Sequence, residues 1–499
     1  MKKFKDFKKY KESSKQFIIT YKNYLLIYSV TCLGLLAIGA CNTWLRQEKN
    51  ENHFDHFYDE QNVTENINTS SESDNLDSII ENEIPNLNLL GEDRYSTAEG
   101  RAEILKESII EPKAEMLELD YFSNANKDNI NVELANLGLN FINILNPEAN
   151  LTVSPVSIAY ALGMTSNGAQ NNTLAQVEQL LGANLHSLNA FCERYINLAQ
   201  ESEQIKLANS IWFNENKINI SDPFLQVNKD CYSAEMYDID FNSQTNELIN
   251  HWAEEKTNGQ LTDLMKDPID MDTAMVLVNA LAFEDSWLKP YGPNEIYKNN
   301  FNLEDGTIQL VDFLHSNEDI LFVLGNGEAV GIVKPYQDDK HSFVAITSDQ
   351  SIHKFLKDVN IEDILTAIEN PIYQPISVQL PKFNFSCNMD LKNILSCLGV
   401  TDAFDSTMAD FSKMTAPKDN SFYIGQAIHS TVIDVNENGS SAAAGSAIAI
   451  MNRSMPMPAK YEVAFNKPFF FMIMDDILNL PVFMGVLNYF EDIPVGMLV

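Results

Sequence analysis

Near residue 128 the sequence changes character, and that change fixes how much of the chain can build a core. Residues 42–127 carry 20 acidic and 7 basic side chains, twelve asparagines and a serine cluster at Ser70, Ser71 and Ser73. So little apolar surface does not offset the conformational entropy of folding, and the domain boundaries read 41–127 as a solvated, acidic tether. A coil of that length spans roughly 50 Å, and more when charge repulsion stretches it. One local exception is 98–116, whose Ala, Glu, Leu and Ile content suits a helix. His53, Asp55, His56 and Asp59 lack the further ligands of a metal framework and read as solvated polar surface.

From 128 to 499 the pattern is that of a folded domain. Leu134, Leu137, Phe141, Ile144 and Leu145 recur at helical spacing. Ser154 and Pro155 read as N-cap and first residue of a second helix, and Thr173 with Gln176 as a capping box opening a third that ends before Gly182. Strand-like runs follow at 205–208, 274–283, 331–334, 377–385, 431–435 and 482–487. Helices first and many strands later, without strict alternation, predict an α+β domain with large antiparallel sheets.

The amino terminus carries an address. Residues 1–22 hold eight lysines against Asp6 and Glu12, residues 23–40 carry no charge, and the apolar block from Tyr24 closes on Gly39 and Ala40 before Cys41. That order is the order of a secretory signal. Ile38-Gly39-Ala40-Cys41 resembles the lipobox of bacterial lipoproteins, which makes Cys41 the candidate lipidation site. An uncleaved signal anchor and a soluble secreted protein are the alternatives, and all three export the remainder. Export permits disulfides, yet a domain of this size folds without them, so Cys192, Cys231, Cys387 and Cys397 are expected as thiols.

The whole chain has a net charge of −36, which argues against nucleic acid as a partner. No G-x-S-x-G elbow, P-loop, dinucleotide glycine fingerprint or H-E-x-x-H is present, and with no nucleophile, base and orienting group the chain is not expected to be an enzyme. No cofactor or metal is implied, and His251 with Glu254 reads as ordinary helix surface.

Several segments, in order, resemble the serpins, the serine protease inhibitor family. They include Asn150-Leu151-Thr152-Val153-Ser154-Pro155-Val156-Ser157, Leu207-Ala208-Asn209-Ser210-Ile211-Trp212, Leu277-Val278-Asn279-Ala280-Leu281-Ala282-Phe283 with Trp287, Leu380-Pro381-Lys382-Phe383 and Val463-Ala464-Phe465-Asn466-Lys467-Pro468-Phe469. The resemblance covers about 128–499. It implies three β-sheets, eight to nine helices and an exposed reactive-centre loop at about 437–460. It also implies a metastable native form whose loop, once cleaved, inserts into the central sheet and drags the acylated protease with it. The implied partners are a target serine protease and, through the amino terminus, a membrane; the protein is expected as a monomer.

The loop chemistry suits that role. An inserting strand alternates faces, which puts Ser440, Ala442, Ala444, Ser446, Ile448 and Ile450 on one side. The hinge Glu437, Gly439, Ser440, Ser441, Ala442, Ala443, Ala444, Gly445 and Ser446 has no bulky side chain, and no charge beyond Glu437, to oppose entry into a packed sheet. Family spacing from Gly439 places the scissile bond at Arg453 and Ser454, and arginine there fits the acidic pocket of trypsin-like proteases. A register shifted to Met451 or Asn452 would select another protease class, and a non-inhibitory serpin-fold protein is the alternative function. The resemblance further implies that Ser154, Ser157, Asn279 and His429 form a hydrogen-bonded cluster where the central sheet opens, and that Trp287, with an ion pair of Lys382 and Glu437, stands at the head of that sheet.

Overall fold

The computed structural model describes residues 94–112, then 130–440 apart from 146–147, 267, 270–272, 326 and 418–421, and finally 459 and 461–491. Helix α1 (Ala98–Ser108) and strand β1 (Ile109–Ile110) come first, followed by α2 (Ile130–Ile144), which buries Leu134, Leu137 and Phe141 along one face. Strand β2 (Leu151–Val153) leads into α3 (Pro155–Ser166). The Ser154 hydroxyl accepts from the Ser157 N–H at 3.1 Å and Pro155 fills the first turn, as the sequence predicts.

Helix α4 (Asn171–Leu181) ends at Gly182 as expected, but it begins two residues before Thr173, so the capping box is a misreading. Thr173 lies inside the helix, where its hydroxyl accepts from Asp410 N–H, and Gln176 reaches Thr401 and Asp402. Tertiary partners have claimed both side chains. Helix α5 (Leu185–Gln200) closes this group.

The chain continues through β3 (Ile205–Phe213), α6 (Asp222–Tyr232), β4 (Glu235–Asp238), α7 (Thr245–Lys256), β5 (Met275–Phe283), β6 (Asp285–Ser286), β7 (Ile296–Asn302), β8 (Ile308–Leu324), β9 (Ala329–Pro335) and β10 (His341–Ser348). Then come α8 (Ile352–Asp358), α9 (Ile361–Glu369), β11 (Ile372–Pro381), β12 (Phe383–Asp390), α10 (Leu391–Cys397), β13 (Ile428–Val435), β14 (Gly439–Ser440), β15 (Tyr461–Ala464), β16 (Phe469–Asp475) and β17 (Leu480–Leu487). Nine α-helices from Ile130 onward and three sheets, counted among the described residues, give the α+β class and the element numbers expected. The run 377–385 is two strands rather than one. The pairing with β8 runs through Pro381, opposite Phe313, and the Lys382 N–H still donates to the Asp312 carbonyl at 2.9 Å; from Phe383 the chain pairs with β13 in a different sheet.

One four-stranded sheet runs β1-β4-β3-β5, a second runs β12-β13-β14-β6, and a nine-stranded sheet runs β15-β11-β8-β9-β10-β16-β17-β2 with β7 on β8. The main core fills the space among these sheets and α2–α6. A smaller core beside it is built on Trp212, Tyr237, Leu248, Trp252 and Leu261. Residues 94–112 depart from the expectation of a solvated segment up to 127: Ile104 and Leu105 of α1 are buried in the smaller core, and β1 pairs with β4. Cys192, Cys231 and Cys387 are thiols, but Cys397 is disulfide-bonded, contrary to expectation. Among the described residues no helix is long and apolar enough to cross a membrane, and 1–40 with Cys41 lie outside them.

Candidate functional site

Strands β5 and β13 are neighbours in separate sheets. Each presents an edge to the other, and they are bridged at one end by β14, which has two residues. Ser440 pairs with Val435 of β13 on one side, while Gly439 and Ser440 pair with Ser286 and Asp285 of β6 on the other. A Cβ at Gly439 would stand 1.9 Å from the Asp285 carbonyl oxygen, so only glycine fits this close backbone approach. Asn436 N–H donates to the Gly439 carbonyl and Asn438 N–H to the Asn436 side chain, which turns the chain between β13 and β14. Beside Ser440 a cleft opens between Phe283 of β5 and Val432, Ile433 and Asp434 of β13. A strand extending β14 would run into that divide.

The head of the divide is built on Trp287, which is fully buried. Its backbone N–H donates to Asn438 O at 2.7 Å and its indole N–H to Asn436 O at 2.8 Å, which ties the β13–β14 turn to the end of β6. The indole stacks flat on Tyr336, with ring centres 4.7 Å apart and planes at 9°, and the Tyr336 hydroxyl lies 2.5 Å from Ser440 Oγ. Lys334 Nζ sits 5.3 Å from the Trp287 ring and 4.5 Å from that of Tyr291, and pairs with Glu318 at 2.5 Å out of solvent. Burial alone would lower the Lys334 ammonium; the Tyr291 and Glu318 oxygens reverse that and hold it above its ordinary value.

Lys382, between β11 and β12, pairs with Glu437 at 2.5 Å. Burial pushes the Glu437 carboxyl up, but the Lys382 ammonium outweighs it and leaves the group below the usual carboxylate range. Asp285, whose backbone pairs with Ser440, is pushed up to about 6 by burial, backbone donors opposing and the nearby Asp338 carboxylate adding to the rise.

Farther along the divide a buried network joins its two walls. His429 of β13 accepts at Nε2 from Ser154 N–H at 3.0 Å; the Ser154 hydroxyl accepts from Ser157 N–H; and the Ser157 hydroxyl donates to the Asn279 amide oxygen of β5. Asn279 donates to Asn209 of β3 at 2.9 Å, and Asn209 to the Tyr232 carbonyl at 2.7 Å. The amino end of α3 thus holds β13 and β5 together. A histidine that accepts at Nε2 is neutral, and burial pushes His429 down to about 4.

The structure therefore brings together Glu437, Gly439, Ser440, Trp287 and Lys382 at one end, and Ser154, Ser157, Asn279 and His429 farther along. Ser441, Ala442, Ala443, Ala444, Gly445, Ser446, Met451, Asn452, Arg453 and Ser454 lie outside the described residues. Sequence reasoning missed Tyr336, Lys334, Glu318 and Tyr291. Only the first carried a signal: it opens Tyr336-Gln337-Asp338-Asp339, a turn-like run that places its aromatic ring at a strand end.

Residues 131–489 match the family described as Serpin (serine protease inhibitor). Human neuroserpin is 30% identical over 381 residues, which cover 70% of this chain and 90% of that protein. Mouse Serpin A9 is 30% identical over 352 residues, 68% of this chain and 83% of its own. Among solved structures, the native state of the thermophilic serpin tengpin superposes with a TM-score of 0.67 at 32% identity, covering 77% of this chain and 98% of that one; its latent state gives 0.63 at 32% identity, covering 74% and 100%.

Proposed function

Since the chain belongs to the serpin family, we propose that it is a suicide inhibitor of arginine-directed, trypsin-like serine proteases. The protease attacks the bond between Arg453 and Ser454 and is acylated at Arg453; the cleaved loop then enters the divide between β5 and β13, and the protease is carried with it before the ester hydrolyses. The observation that carries this reading is the placement of Gly439 and Ser440, seated as a strand between β13 and β6 at the head of that divide.

The residues that follow favour extension of this strand. Ser440 is almost fully buried, and period two puts the small side chains of Ala442, Ala444 and Ser446 on the same face. Ile448 and Ile450 each gain about 1.5–3 kcal/mol on full burial, and each new ladder hydrogen bond a net 0.5–1.5 kcal/mol. Over a dozen residues that is on the order of 10 kcal/mol, enough to drive a conformational switch. Removal of 1–40 as an export signal, lipidation of Cys41 as the new amino terminus and a tether of 41–127 complete the proposal and place the domain outside the cell as a monomer.

The register is tested by mixing the chain separately with trypsin and with proteases that cut after methionine or asparagine, and sequencing the carboxy-terminal peptide released by whichever protease is trapped. A peptide beginning at Ser454 supports arginine-directed recognition; one beginning at Asn452 or Arg453 moves the scissile bond and changes the target class.

A further inference from the structure

The nine-stranded sheet forks, and an ion pair is buried in the fork. The ladder between β8 and β9 ends at Leu321 and Ile332. Beyond it β8 continues against β11, with Glu318 opposite Ile376, and β9 continues against β10, with Lys334 opposite Phe343. Lys334 and Glu318 therefore meet past the last paired residues of their two strands, 2.5 Å apart and both almost wholly out of solvent. Withdrawing two charges from water costs more than burying apolar side chains of the same volume, so such a pair is a poor source of stability.

Two aromatic rings close over the ammonium. Segment 286–291 runs along the end of β9: Leu288 N–H donates to the Pro335 carbonyl at 3.1 Å, and Gln337 N–H to that of Ser286 at 2.8 Å. From this segment the Trp287 and Tyr291 rings lie 5.3 and 4.5 Å from Lys334 Nζ, cation–π contacts that the exclusion of water strengthens. The same two residues hold the hinge. Tyr291 N–H donates to the Glu437 carbonyl at 3.0 Å, Trp287 N–H to that of Asn438 at 2.7 Å, and the Trp287 indole N–H to that of Asn436 at 2.8 Å. Three consecutive carbonyls directly before Gly439 thus hang on two aromatic residues, and those two share one buried cation.

We infer that Lys334 is a positioning residue for loop insertion: anchored by Glu318, it fixes Trp287 and Tyr291, and through them the register from which the cleaved strand enters the sheet. This inference rests on the insertion reading above. Glu318 keeps the ammonium charged and in place, and the ammonium orients both rings. The rings' own backbone N–H groups, with the indole N–H, then set the Asn436, Glu437 and Asn438 carbonyls, so that Gly439 and Ser440 point along the divide. Without the cation the hinge is held less exactly, entry of the strand slows, and more acyl-enzyme hydrolyses before it is trapped.

The test uses the full exported chain and trypsin. Each variant is scored by its denaturation midpoint, by the rate of loop cleavage, and by stoichiometry, the moles of chain consumed per mole of trypsin trapped. Lys334→Met strands the Glu318 carboxylate, lowers stability and raises the stoichiometry on the order of tenfold, with the rate of loop cleavage unchanged. Lys334→Met combined with Glu318→Leu removes both charges and regains stability, yet its stoichiometry stays raised because no cation lies against the rings. Leu181→Ala, a buried change at the end of α4, which packs on α2, α3 and residues 402–404, shows what lost stability does by itself. A stoichiometry in the double variant no higher than that of the unmodified chain or of Leu181→Ala overturns the positioning role and leaves the insertion reading intact. Failure of the unmodified chain to trap trypsin at all overturns the insertion reading, and the role of Lys334 with it.

Discussion

The Tyr336 hydroxyl lies 2.5 Å from Ser440 Oγ, and both side chains are almost fully buried. One residue directly follows β9 and the other is the last described residue of the hinge, so this hydrogen bond fastens the hinge to the end of a strand of the nine-stranded sheet. Tyr336→Phe keeps the ring on Trp287 but leaves the buried Ser440 hydroxyl without this partner. The expected loss is about 1–3 kcal/mol of native stability with trapping of protease retained, measured by denaturant titration alongside adduct yield. Unchanged stability would mean that the hydroxyl pair does not fasten the hinge.

Ser440→Arg places a cation at a position that is 1% exposed between β13 and β6. Burying an unpaired charge there costs several kcal/mol, so insertion slows and hydrolysis of the acyl-enzyme wins. The expected outcome is conversion from inhibitor to substrate: trypsin cleaves the loop and stays active. An adduct formed as efficiently as by the unmodified chain would remove Ser440 from the inserting face.

His429 gives a pH dependence. Its imidazole is held at about 4 in the fold against an ordinary 6.5, so between those values the unfolded chain binds more protons and stability falls as pH falls. From pH 7 to pH 5 this amounts to about 2 kcal/mol. Asp285 and Asp476, both raised to about 6, act in the opposite sense, their contribution fading as pH rises through 6. The contrast is therefore taken against His429→Gln, which lacks the histidine term. The unmodified chain loses about 2 kcal/mol relative to the variant between pH 7 and pH 5, as read from denaturation midpoints. A difference that does not vary with pH would show that His429 does not titrate as a buried neutral group.

The head of the divide was partly legible in the sequence. Ser440 and its small neighbours stand out because a strand that enters a sheet late has to avoid charge and bulk, and that constraint is local. Tyr336 carried only the weak signal of a turn, because what matters is its partner 104 residues away. The same reason explains α4, where Asp402 and Asp410 from a distant loop claim Gln176 and Thr173 and leave no capping box. Residues 94–112 were obscured by their surroundings. Ile104, Leu105, Ile109 and Ile110 are a few apolar residues in an acidic stretch, and the aromatic face that buries Ile104 and Leu105 is supplied by residues 212, 237 and 252.

The tether reading stands on Cys41. Cys41→Ser is expected to abolish labelling by fatty acid and to shift the protein from the membrane fraction to the soluble one, while trapping of trypsin by the released domain is unaffected. Unchanged partition and labelling would contradict lipidation at this residue and favour the anchored or secreted alternatives.

The central claim is that cleavage leads to insertion faster than the acyl-enzyme hydrolyses. Mixing the exported chain with a slight molar deficit of trypsin and following the products by denaturing electrophoresis measures that race directly. The account predicts a heat- and SDS-resistant species containing both proteins, appearing as trypsin activity disappears. Complete cleavage of the loop with trypsin fully active and no such species would contradict it.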